Sequence, residues 1–164
     1  MESIFFHIDV NSAFLSWTAI DQLQKAKETD TLDSYVDLRD IPSIIGGDSA
    51  TRHGIVLAKS IPAKKYGIST AEPIASALKK CPSLVIAPPD HHSCSAHSHA
   101  LMEFLSGYCP MIEQVSIDEC YMDYTPISRD FESPQAAATI IKDSVRETFG
   151  FTANVGISDR KVLA

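Results

Sequence analysis

The sequence predicts an α+β fold in which a small antiparallel or mixed sheet carries helices on one face. Two observations lead to this prediction. Strand and helix patterns intermix in the outer segments, in the order β-α and then α-β-β-α-β, and this order suits such a sheet. The middle of the chain, from about residue 13 to residue 89, indicates an insertion that forms a second lobe.

The first predicted element is a strand over residues 3–10, where apolar side chains alternate loosely with more polar ones. Asn11 or Ser12 can cap a helix that we predict over about residues 12–27. The polar segment after this helix predicts an irregular surface excursion, and Gly46-Gly47 predicts a turn.

The second half of the insertion predicts two short strands, over residues 54–58 and 84–87. A helix lies between them, with Pro73 near its start and Pro82 just beyond its end. A longer helix follows over about residues 93–108.

The last third of the chain begins with residues 112–124, which predict a hairpin. The next helix has Ser133 as its N-cap and Gly150 directly after its last turn. A final strand over residues 152–157 leads to Ser158, which we expect to cap one more helix.

The composition is that of a globular protein: of 164 residues, 45% are hydrophobic and 21% are charged. The sequence contains no run of about 18 apolar residues, so it predicts no membrane span. The first residues lack the features of a signal peptide, so we expect a cytoplasmic protein with free cysteine thiols. The net charge of −7 argues against a domain that binds nucleic acid unaided.

Three carboxylates are candidates for chemistry: Asp9 at the end of the first strand, and Asp118-Glu119 within the predicted hairpin. Acids in apolar strands are costly unless they are paired, protonated or bound to a metal. Oxygen donors of this kind suit Mg²⁺ or Mn²⁺. The alternative is that these acids simply face water at a half-solvated sheet. Adjacent strand residues point to opposite faces, so Asp118 and Glu119 can share a cation only at a turn or bulge.

The start of the first helix is a candidate phosphate site, because free N–H groups at helix starts favour anions. Candidate phosphate contacts are Lys59, Lys64, Lys65 and Lys161. Phe14 is either a core aromatic or a wall of a nucleotide pocket, and its spacing does not decide between the two. The histidines and cysteine of segment 91–99 indicate a solvated helix start rather than a zinc site, since no second ligand pair stands at a familiar spacing.

Four segments together resemble the Y-family DNA polymerases of the polymerase IV type. They are HIDVNSAF, YGISTAEP with the later KKCP, VSIDECYMDYT and NVGISDRKVLA. They occur in the order found in that family and cover essentially the whole chain. The resemblance implies a translesion, DNA-repair polymerase that transfers nucleotides from dNTP to a primer 3′ end on template-primer DNA. It also implies a ferredoxin-like palm, made of residues 1–12 and 90–164, and a small α/β fingers lobe, made of residues 13–89.

The same resemblance implies roles for individual residues. Asp9, Asp118 and Glu119 correspond to the catalytic carboxylates that bind two Mg²⁺ ions, with Mn²⁺ as a substitute, and the Val10 carbonyl corresponds to a further ligand. Phe14 corresponds to the steric gate that excludes a ribose 2′-OH. The remaining positions implied to bind nucleotide are Asn11, Ser12, Ala13, Lys64 and Lys161.

The sequence departs from the family at Ile61 and Lys64, where a Tyr and an Arg usually contact the triphosphate. Lys supplies charge but not the two parallel N–H donors of an Arg guanidinium, so nucleotide affinity or pairing preference can differ from that of the family. The resemblance further implies that the rest of the palm, the thumb and the little finger lie beyond residue 164. We therefore expect the 164-residue chain to bind DNA weakly and to polymerise poorly. The resemblance also implies a sliding clamp as a partner through those further parts.

Two other functions remain open. A catalytically impaired polymerase-like module that only binds nucleotide or DNA is favoured by the departures at Ile61 and Lys64. A palm-type nucleotidyl cyclase shares the two-metal chemistry, but it would place glycine in its acidic hairpin, and the SIDEC segment has none.

Overall fold

The structure is a computed structural model that describes residues 3–47 and 54–164. The chain divides into two compact units. The first unit joins the chain up to Asn11 with Ser95–Ala164, and the second unit is Ser12–Cys94. In the described part of the chain, no helix is both long and apolar enough to cross a membrane.

Seven strands and five α-helices make up the described residues. The strands are β1 Phe5–Val10, β2 Ser43–Gly46, β3 Val56–Lys59, β4 Val85–Ala87, β5 Ile112–Gln114, β6 Glu119–Asp123 and β7 Ala153–Ser158. The α-helices are α1 Ala13–Glu28, α2 Ile61–Lys65, α3 Ile74–Lys80, α4 His91–Ser106 and α5 Pro134–Phe149. Short 3₁₀ helices cover Leu32–Ser34, Thr125–Asp130 and Lys161–Leu163.

The first unit is built on a four-stranded antiparallel sheet with strand order β5-β6-β1-β7. In chain order its elements are β1, most of α4, β5, β6, α5 and β7, which is the β-α-β-β-α-β pattern of ferredoxin-like folds. This confirms the predicted α+β class. The two strands at the centre of the sheet, β1 and β6, are distant in sequence and lie side by side.

The sheet of the first unit has one buried face. Phe6, Ile8 and Val10 of β1 are at most 2% exposed, whereas His7 and Asp9 between them are only half-buried. Apolar residues of α5 are buried as well, and Phe149 at its end packs against Phe104 of α4 with ring centroids 5.2 Å apart. We call the other face, which carries His7 and Asp9, the open face.

Helix α5 forms as its sequence predicts. The Ser133 side chain accepts a hydrogen bond from the Ala136 N–H at 3.1 Å. Pro134 occupies the first turn, and Gly150 ends the helix in the left-handed region with φ 79°. Glycine adopts this conformation without the penalty that a Cβ brings. The observed bounds of α5 therefore follow from local chemistry.

The second unit contains a three-stranded sheet of order β3-β2-β4, antiparallel between β2 and β3 and parallel between β2 and β4. Strand β2 is fully buried, and its neighbouring residues Ile44 and Ile45 belong to two different apolar clusters. Because successive strand residues point to opposite faces, both faces of this sheet are covered.

The structure differs from the sequence-based expectations at three places. Strand β2 was missed, and Gly46, which we expected in a turn, is its last residue. A four-residue strand buried on both faces lacks the alternation that would identify it. The five-residue helix α2 was also missed. Ser158 does not cap a helix but ends β7, and only a 3₁₀ turn follows it at Lys161–Leu163.

Candidate metal centre

The antiparallel pairing of β1 with β6 brings two of the predicted acids together. In this register Asp9 lies directly opposite Glu119, the first residue of β6. Residues opposite each other in an antiparallel pair share a face of the sheet. The Val10 N–H donates to the Asp118 carbonyl at 3.0 Å, which fixes the residue before β6 at the same end of β1. All three acids therefore lie around one end of the two central strands.

Asp118 lies in the bend between β5 and β6 rather than in a strand. The N–H groups of Val115 and Ser116 both point to the Glu119 carbonyl, at 3.0 and 3.3 Å, and close this hairpin. The alternation of a regular strand does not apply to a residue in a bend. The two adjacent acids are thus not forced onto opposite faces.

Two residues that the sequence analysis did not single out hold these acids. The Ser116 hydroxyl donates to Asp118 Oδ1 at 2.7 Å. His7 Nε2 lies 3.2 Å from Glu119 Oε2. The alternation of side chains along a strand puts His7 on the same face as Asp9, and this signal was available in the sequence. Its partner on β6 becomes known only from the strand register.

The electrostatics of the site favour a cation. Burial raises the pKa of the Asp9 carboxyl above its ordinary value, and the charges of Asp118 and Glu119 raise it further, while His7 opposes this shift. Carboxylate oxygens that repel one another suit a hard divalent ion. The donor chemistry therefore fits such an ion.

The side chains of these acids are not arranged as a complete set of metal ligands. Among residues 3–47 and 54–164, no three His, Cys, Asp or Glu side chains are grouped so as to hold a metal ion. Asp118 Oδ1 accepts a hydrogen bond from the Ser116 hydroxyl, and Glu119 Oε2 contacts His7 Nε2. In segment 91–99, His91 and His92 are exposed at the start of α4, as predicted for a solvated helix start.

Two other predicted site residues belong to the first unit. The Asn11 amide donates to Thr152 Oγ1 at 2.9 Å and accepts from Asn154 Nδ2 at 2.8 Å, so it ties the end of β1 to β7. Lys161 Nζ contacts the Glu113 carboxylate and lies 5.3 Å from the centre of the Tyr121 ring. Glu113 and Tyr121 were not singled out from the sequence.

The remaining predicted residues belong to the second unit. Ser12 has a left-handed backbone with φ 46°, and its hydroxyl donates to the Lys59 carbonyl at 3.1 Å. Our expectation that Asn11 or Ser12 caps α1 through its side chain is wrong, because α1 has no side-chain cap and these side chains bond elsewhere. Ala13, the first residue of α1, is buried. Lys64 in α2 is exposed.

Phe14 is a half-buried aromatic of α1. It packs against an apolar cluster that includes Leu15 and Ile45. Its ring makes edge contacts with Trp17 and His91, at centroid distances of 6.4 and 6.0 Å. Phe14 is thus held by packing while part of its ring stays accessible.

A profile of the impB/mucB/samB family matches residues 8–164. The chain belongs to this family. DNA polymerase IV of Clostridium acetobutylicum is 48% identical over the whole chain, which covers 39% of that protein. DNA polymerase IV of Alkaliphilus oremlandii is 35% identical, again over the whole chain and 38% of that protein.

Solved structures agree with this membership. The crystal structure of DinB from Sulfolobus solfataricus has a TM-score of 0.78 and 26% identity over 98% of this chain and 43% of that chain. An insertion ternary complex of Dbh DNA polymerase has a TM-score of 0.79 and 25% identity over 98% of this chain and 44% of that chain. The resemblance to the N-terminal region of Y-family polymerases is thereby confirmed.

This member of the impB/mucB/samB family spans about two fifths of the length of the curated relatives it matches. Y-family DNA polymerases generally use divalent metal ions. The acids at the end of β1 and β6 are oxygen donors of the kind such ions prefer.

We expect Asp9→Asn to stabilise the metal-free protein at neutral pH, because the amide removes a charge that burial and two neighbouring acids disfavour. When folding raises the pKa of a carboxyl, the free energy of unfolding falls as the pH rises from the pKa of that carboxyl in the unfolded chain through its pKa in the folded chain. Thermal unfolding with a chelator, from pH 4 to pH 7.5, should therefore show a smaller decline with pH in the variant. Asp33→Asn, at an exposed site, is the control, and an equal response of both variants would contradict the prediction.

Proposed function

We propose that this chain carries the catalytic centre of a template-directed DNA polymerase of the translesion, DNA-repair type. The reaction transfers a nucleotide from dNTP to a primer 3′ end. The observation that carries the proposal is the meeting of Asp9, Asp118 and Glu119 at one end of β1 and β6. The proposal is supported by the polymerase IV relatives, which match this chain along its whole length.

We assign residues 1–12 and 90–164 to the palm and residues 13–89 to the fingers. The strand order of the first unit supports a ferredoxin-like palm, and the separate sheet of the second unit supports a distinct fingers lobe. The unit boundaries after Asn11 and after Cys94 lie close to these limits.

The three acids and the Val10 carbonyl would hold two Mg²⁺ ions, and Mn²⁺ would substitute for them. When bound, the ions neutralise the triphosphate and lower the pKa of the primer 3′-hydroxyl. The chain itself contributes the fixed spacing of the donors. Asp9 and Glu119 are held opposite each other by the strand register, and Asp118 is held in the bend by Ser116.

The incoming nucleotide would contact the start of α1 and two lysines. The N–H groups at the start of α1 have no side-chain cap, so those of Ser12 and Ala13, beside Asn11, can bind phosphate. The left-handed conformation of Ser12 supports a functional constraint there. Lys64 and Lys161 would supply charge to the triphosphate, and Lys161 would then exchange its contact with Glu113 for one with phosphate.

Phe14 would act as the steric gate. A ring held from the side by Trp17 and His91 resists displacement and can therefore reject a ribose 2′-OH. Ile61 has 74% of its surface exposed and Lys64 is exposed too, so the two departures from the family pattern do not disturb a packed core. They would alter nucleotide contacts rather than the fold.

Template-primer DNA and dNTP are the proposed partners, and the cytoplasm is the proposed site of action. The net charge of −7 opposes strong binding of DNA by the 164-residue chain alone. We therefore expect weak or no primer extension by this chain in isolation.

Primer extension by the full-length product of the gene tests the proposal. With Mg²⁺, template-primer DNA and dNTP, Asp118→Asn should lower the rate by at least about 100-fold, since it removes a proposed metal ligand. Asp33→Asn should extend primers like the parent. Unchanged extension by Asp118→Asn, or no extension by a folded, DNA-binding parent, would overturn the assignment.

Phe14→Ala should weaken the selection of deoxynucleotides over ribonucleotides by about 10- to 100-fold, because it removes the ring that meets the 2′-OH. The measurement is the ratio of kcat/KM for dNTP and rNTP in single-nucleotide insertion. Phe131→Ala, in the first unit, is the control for loss of an aromatic ring. An unchanged ratio in an active Phe14→Ala enzyme would show that another group excludes the 2′-OH.

A further inference from the structure

His7 lies at the centre of a contact network on the open face of the first unit. Its Nε2 is 3.2 Å from Glu119 Oε2, and the two side chains are 26% and 33% exposed. Its ring packs on Tyr121, the residue opposite it on β6, with centroids 4.9 Å apart and planes inclined by 39°. His7 therefore contacts β6 both directly across the strand pair and along the diagonal.

The register of β1 and β6 explains why this diagonal contact has consequences. His7 is two residues before Asp9 on the same face of β1, and Asp9 lies opposite Glu119. A carboxylate at Glu119 is repelled by Asp9, since the charge of Glu119 is one of the causes that raise the Asp9 pKa. The imidazole that contacts Glu119 opposes that repulsion. The side chain of Glu119 is long and partly exposed, so an anchor restricts the rotamers that it samples.

We propose that His7 is a positioning residue that holds the Glu119 carboxylate beside Asp9 for cation binding. This inference rests on the proposed function, in which Glu119 is a metal ligand. The Tyr121 ring fixes the plane of the imidazole, and the fixed imidazole directs its Nε2–H at Oε2 of Glu119. Groups that orient metal ligands typically change metal affinity by about 10- to 100-fold when they are removed.

The role that we assign to His7 requires a donor at Nε2 and not the charge of an imidazolium. A neutral imidazole with its hydrogen on Nε2 donates just as an imidazolium does. A side chain that keeps a donor at this position should therefore replace histidine, whereas one that keeps only the ring should not. His7→Gln retains an amide N–H near the position of Nε2, and His7→Phe retains the packing against Tyr121.

The test is Mn²⁺ binding to the full-length gene product with template-primer DNA and a non-hydrolysable dNTP, followed by electron paramagnetic resonance. His7→Phe should weaken Mn²⁺ binding by about 10- to 100-fold, while His7→Gln stays within about threefold of the parent. In the Glu119→Gln background, His7→Phe should cause little further loss, because the two residues act as one unit. Thermal unfolding with a chelator should be nearly the same for both His7 variants.

Two results would overturn the inference. Parental Mn²⁺ binding by His7→Phe would show that His7 does not position Glu119. Equal losses in His7→Gln and His7→Phe would show that the imidazole acts in some other way, for instance as a ligand itself. Failure of the proposed function is distinguishable, because Asp118→Asn would then extend primers at the parental rate whatever the His7 variants do.

Discussion

The antiparallel pairing of β1 with β6 is the constraint on which the rest of the first unit depends. These strands are more than a hundred residues apart in the chain, yet their register sets Asp9 opposite Glu119 and His7 opposite Tyr121. A shift of one residue would move each of these side chains to the other face of the sheet. The register is held by the buried face, where Phe6, Ile8 and Val10 are almost completely covered.

The same pairing concentrates negative charge that the fold alone does not neutralise. Burial and two neighbouring acids raise the pKa of Asp9. The donors His7 and Ser116, which contact Glu119 and Asp118, are themselves only partly buried. Sites that bind cations commonly reduce stability in this manner, since the charges that attract the ion repel one another without it. The apolar side of the sheet offsets the cost.

Much of the first unit could be predicted because its signals are local. The N-cap at Ser133 and the left-handed Gly150 define α5, and the alternation of residues 3–10 identifies β1. Strand β2 could not be found in this way, because all four of its residues are buried and no alternation remains. The capping of α1 failed for a different reason. The Asn11 and Ser12 side chains have partners on β7 and at Lys59 that only the tertiary fold supplies.

The candidate site shows the same division between local and tertiary information. Asp9, Asp118 and Glu119 stand out because acids interrupt apolar strands, whereas His7 becomes informative only when the register places it beside Glu119.

Paramagnetic broadening of backbone amide NMR signals by substoichiometric Mn²⁺ tests the central claim, that this register builds a divalent-cation site. The account predicts that broadening is strongest at residues 8–11 and 117–120. Strongest broadening at the histidines of residues 91–99, or broadening without preference for any segment, would contradict it.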